Sequence, residues 1–299
     1  MLNIQNMVNE LFKNKDLGAM ANQYFQEADK LNIEHTPQVT IIKDSIFRGK
    51  RLTTFQLRFW RAILPEITRH RCFSFCVRSS RANPVKNIIE QVRTNPWGPE
   101  SFGSNQSGMV AGAELTGEAL ANAHQAWKLA ALGAVTQAET LMNLGVHKQV
   151  TNRLLEPFTY SDMVLAGTDF DNFFMLREAS DAQPEIQTLA KAMHKALDES
   201  TPTKLEVGEW HLPYISEEEL HNKAYSIDDL CKASCARCAR VSHKLFNGTT
   251  SIIKDIQLFD KLKNAGHWSP LEFVAVACNV KEYMTSNYKG YNQYRRFYN

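Results

Sequence analysis

The stretch from Arg69 to Arg81, RHRCFSFCVRSSR, carries four arginines, one histidine and three serines. Guanidinium groups hold fixed positive charge and match phosphate or carboxylate oxygens with paired donors. Ser79 and Ser80 add neutral donors of the kind a phosphate uses. Two more arginines lie in apolar surroundings downstream, Arg153 in NRLLEP and Arg177 in MLREASDAQPEI. Half-buried arginines need partners. Glu66, Glu156 and Glu178 offer ion pairs, and an anionic ligand is the alternative. The chain has no GxGxxG and no GxxxxGK(S/T) segment, so a phosphorylated ligand would be gripped by side chains and not by a glycine loop.

Cys231, Cys235 and Cys238 form a second grouping, C-x3-C-x2-C. That spacing can hold a 4Fe–4S cluster on three thiolates. The same positions, i, i+4 and i+7, share one helix face, and cysteine is readily buried. The local sequence favours a helix, which favours packing. His243 is weak support for a zinc site that needs four ligands. No metal is expected.

The 299 residues are 43% hydrophobic and 22% charged, with a formal charge of +2. Such near-balance argues against a nucleic-acid partner, because no broad cationic surface is available. No apolar run approaches the roughly 20 residues that span a bilayer, so no membrane partner is expected. The first residues, MLNIQNMVNELFKNK, read as an amphipathic helix without the apolar core of a signal peptide. Six cysteines are too sparse for a disulfide scaffold, and a cytoplasmic location is expected.

Positioning these residues requires several elements. QVTIIKDSIF (38–47) and TTFQLRFW read as strands. RAILPEITRHR reads as a short helix with Pro65 in its first turn or at a kink. Residues 83–110, rich in proline and glycine, read as irregular. A long Ala/Leu-rich helix is expected from about Glu114 to Leu144, stopped by Gly145, with a break possible at Gly117 or Gly133. Residues 181–200 form a marked helix with Ile186, Leu189, Met193 and Leu197 in one stripe. GEWHLPYI reads as a loop or short extended piece. Residues 226–240 and 251–265 read as helices, and LEFVAVACNV as a strand. The order lacks regular βαβ alternation, so the fold class is α+β, with a mixed or antiparallel sheet flanked by helices.

RHRCFSFCVRS fits R-H-R-x7-S, the signature of the flavin-dependent thymidylate synthases of the ThyX type: Arg69-His70-Arg71, seven residues, then Ser79. NRLLEP resembles that family's A-R-x-V-L-P segment. NFFMLREASDAQPEIQ, with Asn172, Arg177, Gln183 and Glu185, resembles its N-F-x-x-L-R…A-Q-x-E-I segment. ARVSH (239–243) and GHWSPLEF (266–273) resemble its A-R-V-S and G-H-x-(S/T)-P-F-E-H segments, which in ordinary members precede the R-H-R motif. The chain therefore resembles a circularly permuted member, a rearrangement tolerated where termini lie close together at the surface. WGPESFGSNQSGM and GEWHLPY resemble a longer, often phage-borne branch. The implied organisation is one catalytic domain over 1–299. Residues 39–200 hold the motif and the nucleotide-binding part, and 226–299 stand in for the usual N-terminal part.

The resemblance implies a homotetramer with FAD and dUMP at subunit interfaces. It also implies NADPH as reductant and methylenetetrahydrofolate as carbon donor, with no cysteine nucleophile. Location would be the host cytoplasm if the chain is phage-encoded. By resemblance, Arg69, His70, Arg71 and Asn172 contact the flavin, with Ser242, Ser269 and Glu272 adding contacts from the displaced segments. His267 resembles a histidine on the folate and nicotinamide access path. Ser79, Ser80, Arg81, Arg153 and Arg177 resemble the nucleotide set. Arg69, Arg153 and Arg177 stabilise charge that develops on the pyrimidine, with Arg69 touching both ligands. Cys72 and Cys76 are expected to be packing residues. The chain departs from the family pattern at Glu66, often Gln, at Cys76, often Asn, and at Ala82, often Tyr. Phe273 replaces a His, and Ala166 and Thr168 stand where Asn and Arg are common. A hydroxymethylase or methylase acting on dUMP or dCMP is the alternative enzyme, and a non-catalytic nucleotide-binding homologue the alternative without chemistry.

Overall fold

A computed structural model describes residues 15–241, 251–279 and 287–298. Strands β1 (Gln38–Phe47) and β2 (Lys50–Trp60) form an antiparallel hairpin. Its two-residue turn is Arg48-Gly49, both with positive φ (46° and 75°), the left-handed geometry that suits the twist of flanking strands. Strands β3 (Ser74–Val77), β4 (Tyr160–Gly167) and β5 (Thr203–Lys204) complete a five-stranded sheet in the order β3-β4-β2-β1-β5. Only the β1–β5 pair is parallel. The sheet is therefore mixed, and with its helices it makes an α+β fold.

Both faces of this sheet are covered, which is why β4 is buried from Ser161 to Gly167. On one face Phe55, Leu57, Phe59 and Met163 pack against Phe173, Phe174, Ile186, Leu189 and Met193. Those residues come from the helices Asp171–Arg177 and Pro184–Glu199. On the other face Leu52, Val164 and Ala166 pack against Cys238, Val241, Phe273, Ala275 and Tyr291 from the C-terminal part of the chain. That part contributes a second sheet of Trp210–His211, Ala275–Ala277 and Tyr291–Gln293. It also contributes helices Ile227–Arg240 and Ile252–Asn264, tied together where Arg237 and Arg240 both bond Asp255.

The long helix runs unbroken over Gly117–Asn143, with Gly117 at its start and Gly145 beyond its end at φ 80°. Three expectations need correction. Residues 83–110 are not wholly irregular, because Val85–Thr94 is a helix that buries Ile88, Ile89 and Val92. Pro84 occupies its N-cap position and starts it. Among the described residues of LEFVAVACNV the strand covers Ala275–Ala277, because Ser269–Glu272 forms a 3-10 turn. RAILPEITRHR splits into a 3-10 turn, Arg61–Ile63, and a five-residue helix, Leu64–Thr68.

Candidate functional site

The motif residues divide between the two ends of β3, a four-residue strand about 13 Å long. At its start lie Arg69, His70 and Arg71, just after the helix Leu64–Thr68. β4 runs antiparallel to β3, with Ser74 opposite Ala166, so the helix that follows β4 returns to this end. That helix carries Asn172 near its beginning and Arg177 as its last residue. Arg177 Nε donates to His70 Nε2 at 3.0 Å, and its Nη2 donates to the Glu66 carbonyl at 3.2 Å. Because Nε2 accepts, the proton of the neutral ring sits on Nδ1. Burial and the Arg177 charge both hold the His70 pKa below the ordinary histidine value. Phe173 packs edge-on against the ring at 4.9 Å. Glu66 Oε2 is buried with no hydrogen-bond partner. Arg69, Arg71 and Asn172 are exposed, and neither arginine has an ion-pair partner among the described residues.

The C-terminal segment that carries Glu272 docks at this end. The Gln293 side-chain amide donates to Ser74 Oγ at the start of β3 and to the Glu272 carbonyl, both at 3.0 Å. The Glu272 carboxylate pairs with Arg295. Ser269 and His267 are exposed at and just before the 3-10 turn that contains Glu272. Ser242 lies outside the described residues.

At the other end of β3 lie Arg78, Ser79, Ser80 and Arg81, together with the start of β4 and the end of β2. Asp162, fully buried on β4, takes Arg58 Nε at 2.8 Å and Arg78 Nη1 at 3.1 Å. Glu156 takes Arg61 at 3.2 Å and Arg153 at 2.7 Å. Four guanidinium groups thus share two carboxylates, which leaves a local surplus of positive charge. The ion pair weighed for Arg153 is formed, and the side chain is half exposed. Ser79 Oγ accepts from the Arg81 backbone N–H at 3.3 Å and caps the turn Ser80–Ala82. The buried Asn152 amide donates to the carbonyls of Ser80 (2.9 Å) and Asn83 (3.1 Å), fixing that turn. Beside it opens a pocket of about 120 Å³, with Arg61, Arg78, Ser79 and Ser80 in its wall.

The expected nucleotide set is therefore not gathered within one chain. Ser79, Ser80, Arg81 and Arg153 sit at one end of β3, and Arg177 sits at the other with His70. Sequence reasoning missed Arg61 and Asp162 and left Arg78 without a role. The available signal was Asp162, an acid inside the apolar run YSDMVLAG, because a buried carboxylate requires cationic partners.

The cysteine grouping is a packing feature. Cys231 and Cys235 point into a core with Phe259, Leu271 and Tyr294, and Cys238 into a different one with Leu52 and Val164. Burial raises all three thiol pKa values. It also raises that of Cys72 and pushes Cys76 up to about 11. Among the described residues no group of three or more His, Cys, Asp or Glu is placed to hold a metal ion, and no helix is long and apolar enough to cross a membrane.

Fold and site together define an α+β protein that presents an Arg-His-Arg cluster at one end of a strand and an Arg-Ser-Ser-Arg cluster at the other. The family model described as Thymidylate synthase complementing protein, Thy1, matches residues 50–203, and the chain belongs to this ThyX-type family. Solved structures similar to it include the UMP/dUMP methylase PolB from Streptomyces cacaoi bound with 5-Br UMP. That one is 16% identical, covers 57% of this chain and 92% of its own, and has a TM-score of 0.48. The ThyX of Helicobacter pylori complexed with FAD and dUMP is 19% identical and covers 49% of this chain and 67% of its own, with a TM-score of 0.34. No curated protein matches the chain.

Proposed function

We propose that the chain is a flavin-dependent thymidylate synthase. It methylates dUMP reductively to dTMP, with methylenetetrahydrofolate as carbon donor, NADPH as reductant and FAD as cofactor. The observation that carries this reading is the placement of R-H-R and S-S-R at the two ends of one strand inside the family-matched region, with Arg177 bonded to His70. Arg69 and Arg71, exposed and free of ion pairs among the described residues, fit a group that carries a diphosphate. Asn172, Ser269, Glu272, Ser242 and His267 complete the set assigned to that group by the family resemblance. Bound FAD would supply the hydride. Arg177, Arg153 and Arg69 stabilise negative charge that develops on the pyrimidine. His70 keeps Arg177 in place and stays neutral. A cysteine nucleophile is not required, and burial keeps Cys72 and Cys76 from forming thiolates readily.

The working unit is a homotetramer in which Ser79, Ser80, Arg81 and Arg153 of one subunit meet Arg69, His70 and Arg177 of another. The separation of the two clusters within one chain supports this. So do the apolar side chains exposed near each, Leu144, Val150 and Leu154 close to Arg153, and Met175 and Leu176 next to Arg177. Residues 226–299 replace the family's usual N-terminal part by permutation, consistent with the Gln293 link from Glu272 to Ser74.

A second reading, a methylase or hydroxymethylase of dCMP, is favoured by Glu66. Its carboxyl Oε2 has no partner and lies on a residue whose carbonyl binds Arg177. A carboxylate accepts only, and the cytosine amino group would be its donor. The purified protein should show an oxidised-flavin spectrum that bleaches with NADPH, and should convert dUMP with methylenetetrahydrofolate to dTMP by mass spectrometry. A flavin that does not bleach, or no methylated product, overturns the first reading. Turnover of dCMP that Glu66→Gln abolishes, with dUMP untouched, selects the second.

A further inference from the structure

We propose that the chain carries a second ligand site at the sheet edge opposite β3, for a small amphipathic carboxylate. Its anion meets Lys43 and its apolar body lies against Trp210. The site goes beyond the nucleotide reading and does not depend on it. β1 and β5 lie three and four strands from β3 in the sheet order, roughly 14 and 19 Å away at the usual strand spacing. Of the residues that line this pocket, only Thr203 falls within the family-matched stretch 50–203.

A β-bulge decides where Lys43 points. The β1–β2 register shifts between Ile41 and Lys43, so one extra residue, Ile42, re-aims those that follow. Ile41 pairs with Phe55 and packs on the core that holds Phe173 and Ile186. Lys43 pairs with Thr54, whose hydroxyl bonds His211 on the opposite face. Without the bulge, strand alternation would set Lys43 on the same face as Ile41. The charge brought there is poorly met. The Lys43 side chain is only 16% exposed, and its one ion pair among the described residues is with Glu217 at 3.6 Å, too long for a hydrogen bond. Glu217 is itself 73% exposed, so water competes for it. A largely buried ammonium in that state is costly, and an anion that reaches it is favoured. In front of it opens a chamber of about 450 Å³, with Leu205, Trp210, Leu212, Leu220 and Ile227 in its wall. Small-molecule sites span roughly 300–1,000 Å³ and are mostly apolar with a few polar anchors. Trp210 is held edge-on by Tyr294 at 5.6 Å, which fixes a flat surface for an apolar body. Lys204 and Glu209 complete the charged lining, and Glu209 already accepts from the Glu206 backbone N–H at 2.8 Å. The two lysines and two glutamates of the wall sum to zero, so a single-charge anion is accepted more readily than a phosphate dianion.

The test is calorimetric titration of the full chain with hydrocinnamate, phenylalanine and hydrocinnamyl alcohol. Wild type should bind hydrocinnamate. Lys43→Met keeps the apolar stem and drops the charge. It should weaken the acid by about tenfold or more, the usual loss for a hydrogen bond to a charged group, and leave the alcohol unchanged. Ile227→Asp is the second variant, because Ile227 is 47% exposed and begins the helix Ile227–Arg240, where an acid suits the fold. It should weaken the acid more than the alcohol. Phenylalanine adds an ammonium group that can face Glu217. Tighter binding than hydrocinnamate, erased by Glu217→Gln, supports the site with an amino acid as its ligand, and equal binding supports it with a plain carboxylic acid. If Lys43→Met binds hydrocinnamate as well as wild type does, the carboxylate assignment is overturned. Displacement of hydrocinnamate by dUMP would make the chamber part of the nucleotide site and overturn it too. Absence of binding by either acid also overturns it, and a change of sedimentation in Ile227→Asp would then give this face to a second copy of the chain.

Discussion

His211 has no exposed surface, yet both ring nitrogens are bonded. Nε2 meets Thr54 Oγ1 at 2.8 Å and Nδ1 meets Ser45 Oγ at 2.9 Å. Hydroxyls can donate or accept, so one neutral tautomer satisfies both. The residue thereby pins the small sheet onto β1 and β2. Burial first, then the nearby Lys43, pushes its pKa down to about 3, with Asp44 opposing. An unfolded histidine titrates near 6.5, taken as about its model-peptide value. Between those values the unfolded chain takes up a proton that the folded chain refuses. Stability should therefore fall as pH drops through that window, by up to about 1.4 kcal/mol per unit from this group. Urea unfolding at several pH values should show a steeper acid slope in wild type than in His211→Gln, and equal slopes would refute the assignment. The sequence showed His211 only as one letter in GEWHLPY. Nothing local distinguishes a histidine clamped between two hydroxyls from one at a surface, because its partners stand more than 150 positions away. Arg69, His70 and Arg71 were legible because contiguous charge needs no fold to be noticed. Asp162 stood out as an acid in an apolar run, but its partners were not legible, because Arg58 lies on β2 and Arg78 just beyond β3.

At the scale of elements, periodic segments were legible and crossings were not. Pro184–Glu199 and Ile227–Arg240 follow stripes and caps visible in the chain, with Ser226 and Asp229 closing a capping box. Val85–Thr94 was hidden by the prolines and glycines around it, although Ile88, Ile89 and Val92 already formed a stripe. The irregular segment that follows has its own constraint. Gly98 passes between the long helix and the segment before β1, its N–H bonded to the Glu34 carbonyl at 3.0 Å. A Cβ there would run into the Trp127 indole nitrogen and come within 2.8 Å of Ile33 Cγ2. The indole cannot retreat without losing its bond to the Trp97 carbonyl at 3.2 Å. Gly98→Ala should therefore cost about 1–3 kcal/mol, the usual penalty for overpacking. Thermal unfolding would check this, with Gly208→Ala as a control for strain without crowding, since that glycine has positive φ and open space around it. If Gly98→Ala is no more harmful than the control, the close approach is not what demands glycine.

At the scale of the whole molecule, the order of segments along the chain and their order in space differ. Glu272 follows the R-H-R motif by some two hundred positions, yet its carbonyl shares the Gln293 amide with Ser74. The resemblance made this closeness an expectation, and no periodicity or composition would have done so. β3 holds its two ends apart within one chain. If one site is drawn from two subunits, two differently disabled chains should repair each other. Arg81→Ala removes an exposed side chain with no ion pair among the described residues, which leaves the fold untouched. Arg177→Ala removes the partner of His70 at the opposite end. Each variant alone should be nearly inactive. When the two are unfolded and reassembled together, random pairing leaves roughly a quarter of the interfacial sites with both halves intact. dTMP formation should return to about that fraction of the wild-type rate, with neither variant recovering when treated alone. Each subunit would gain this only by contact with its neighbour. A mixture no more active than the sum of its parts would place the whole site within one chain, and the two ends of β3 would then serve separate ligands.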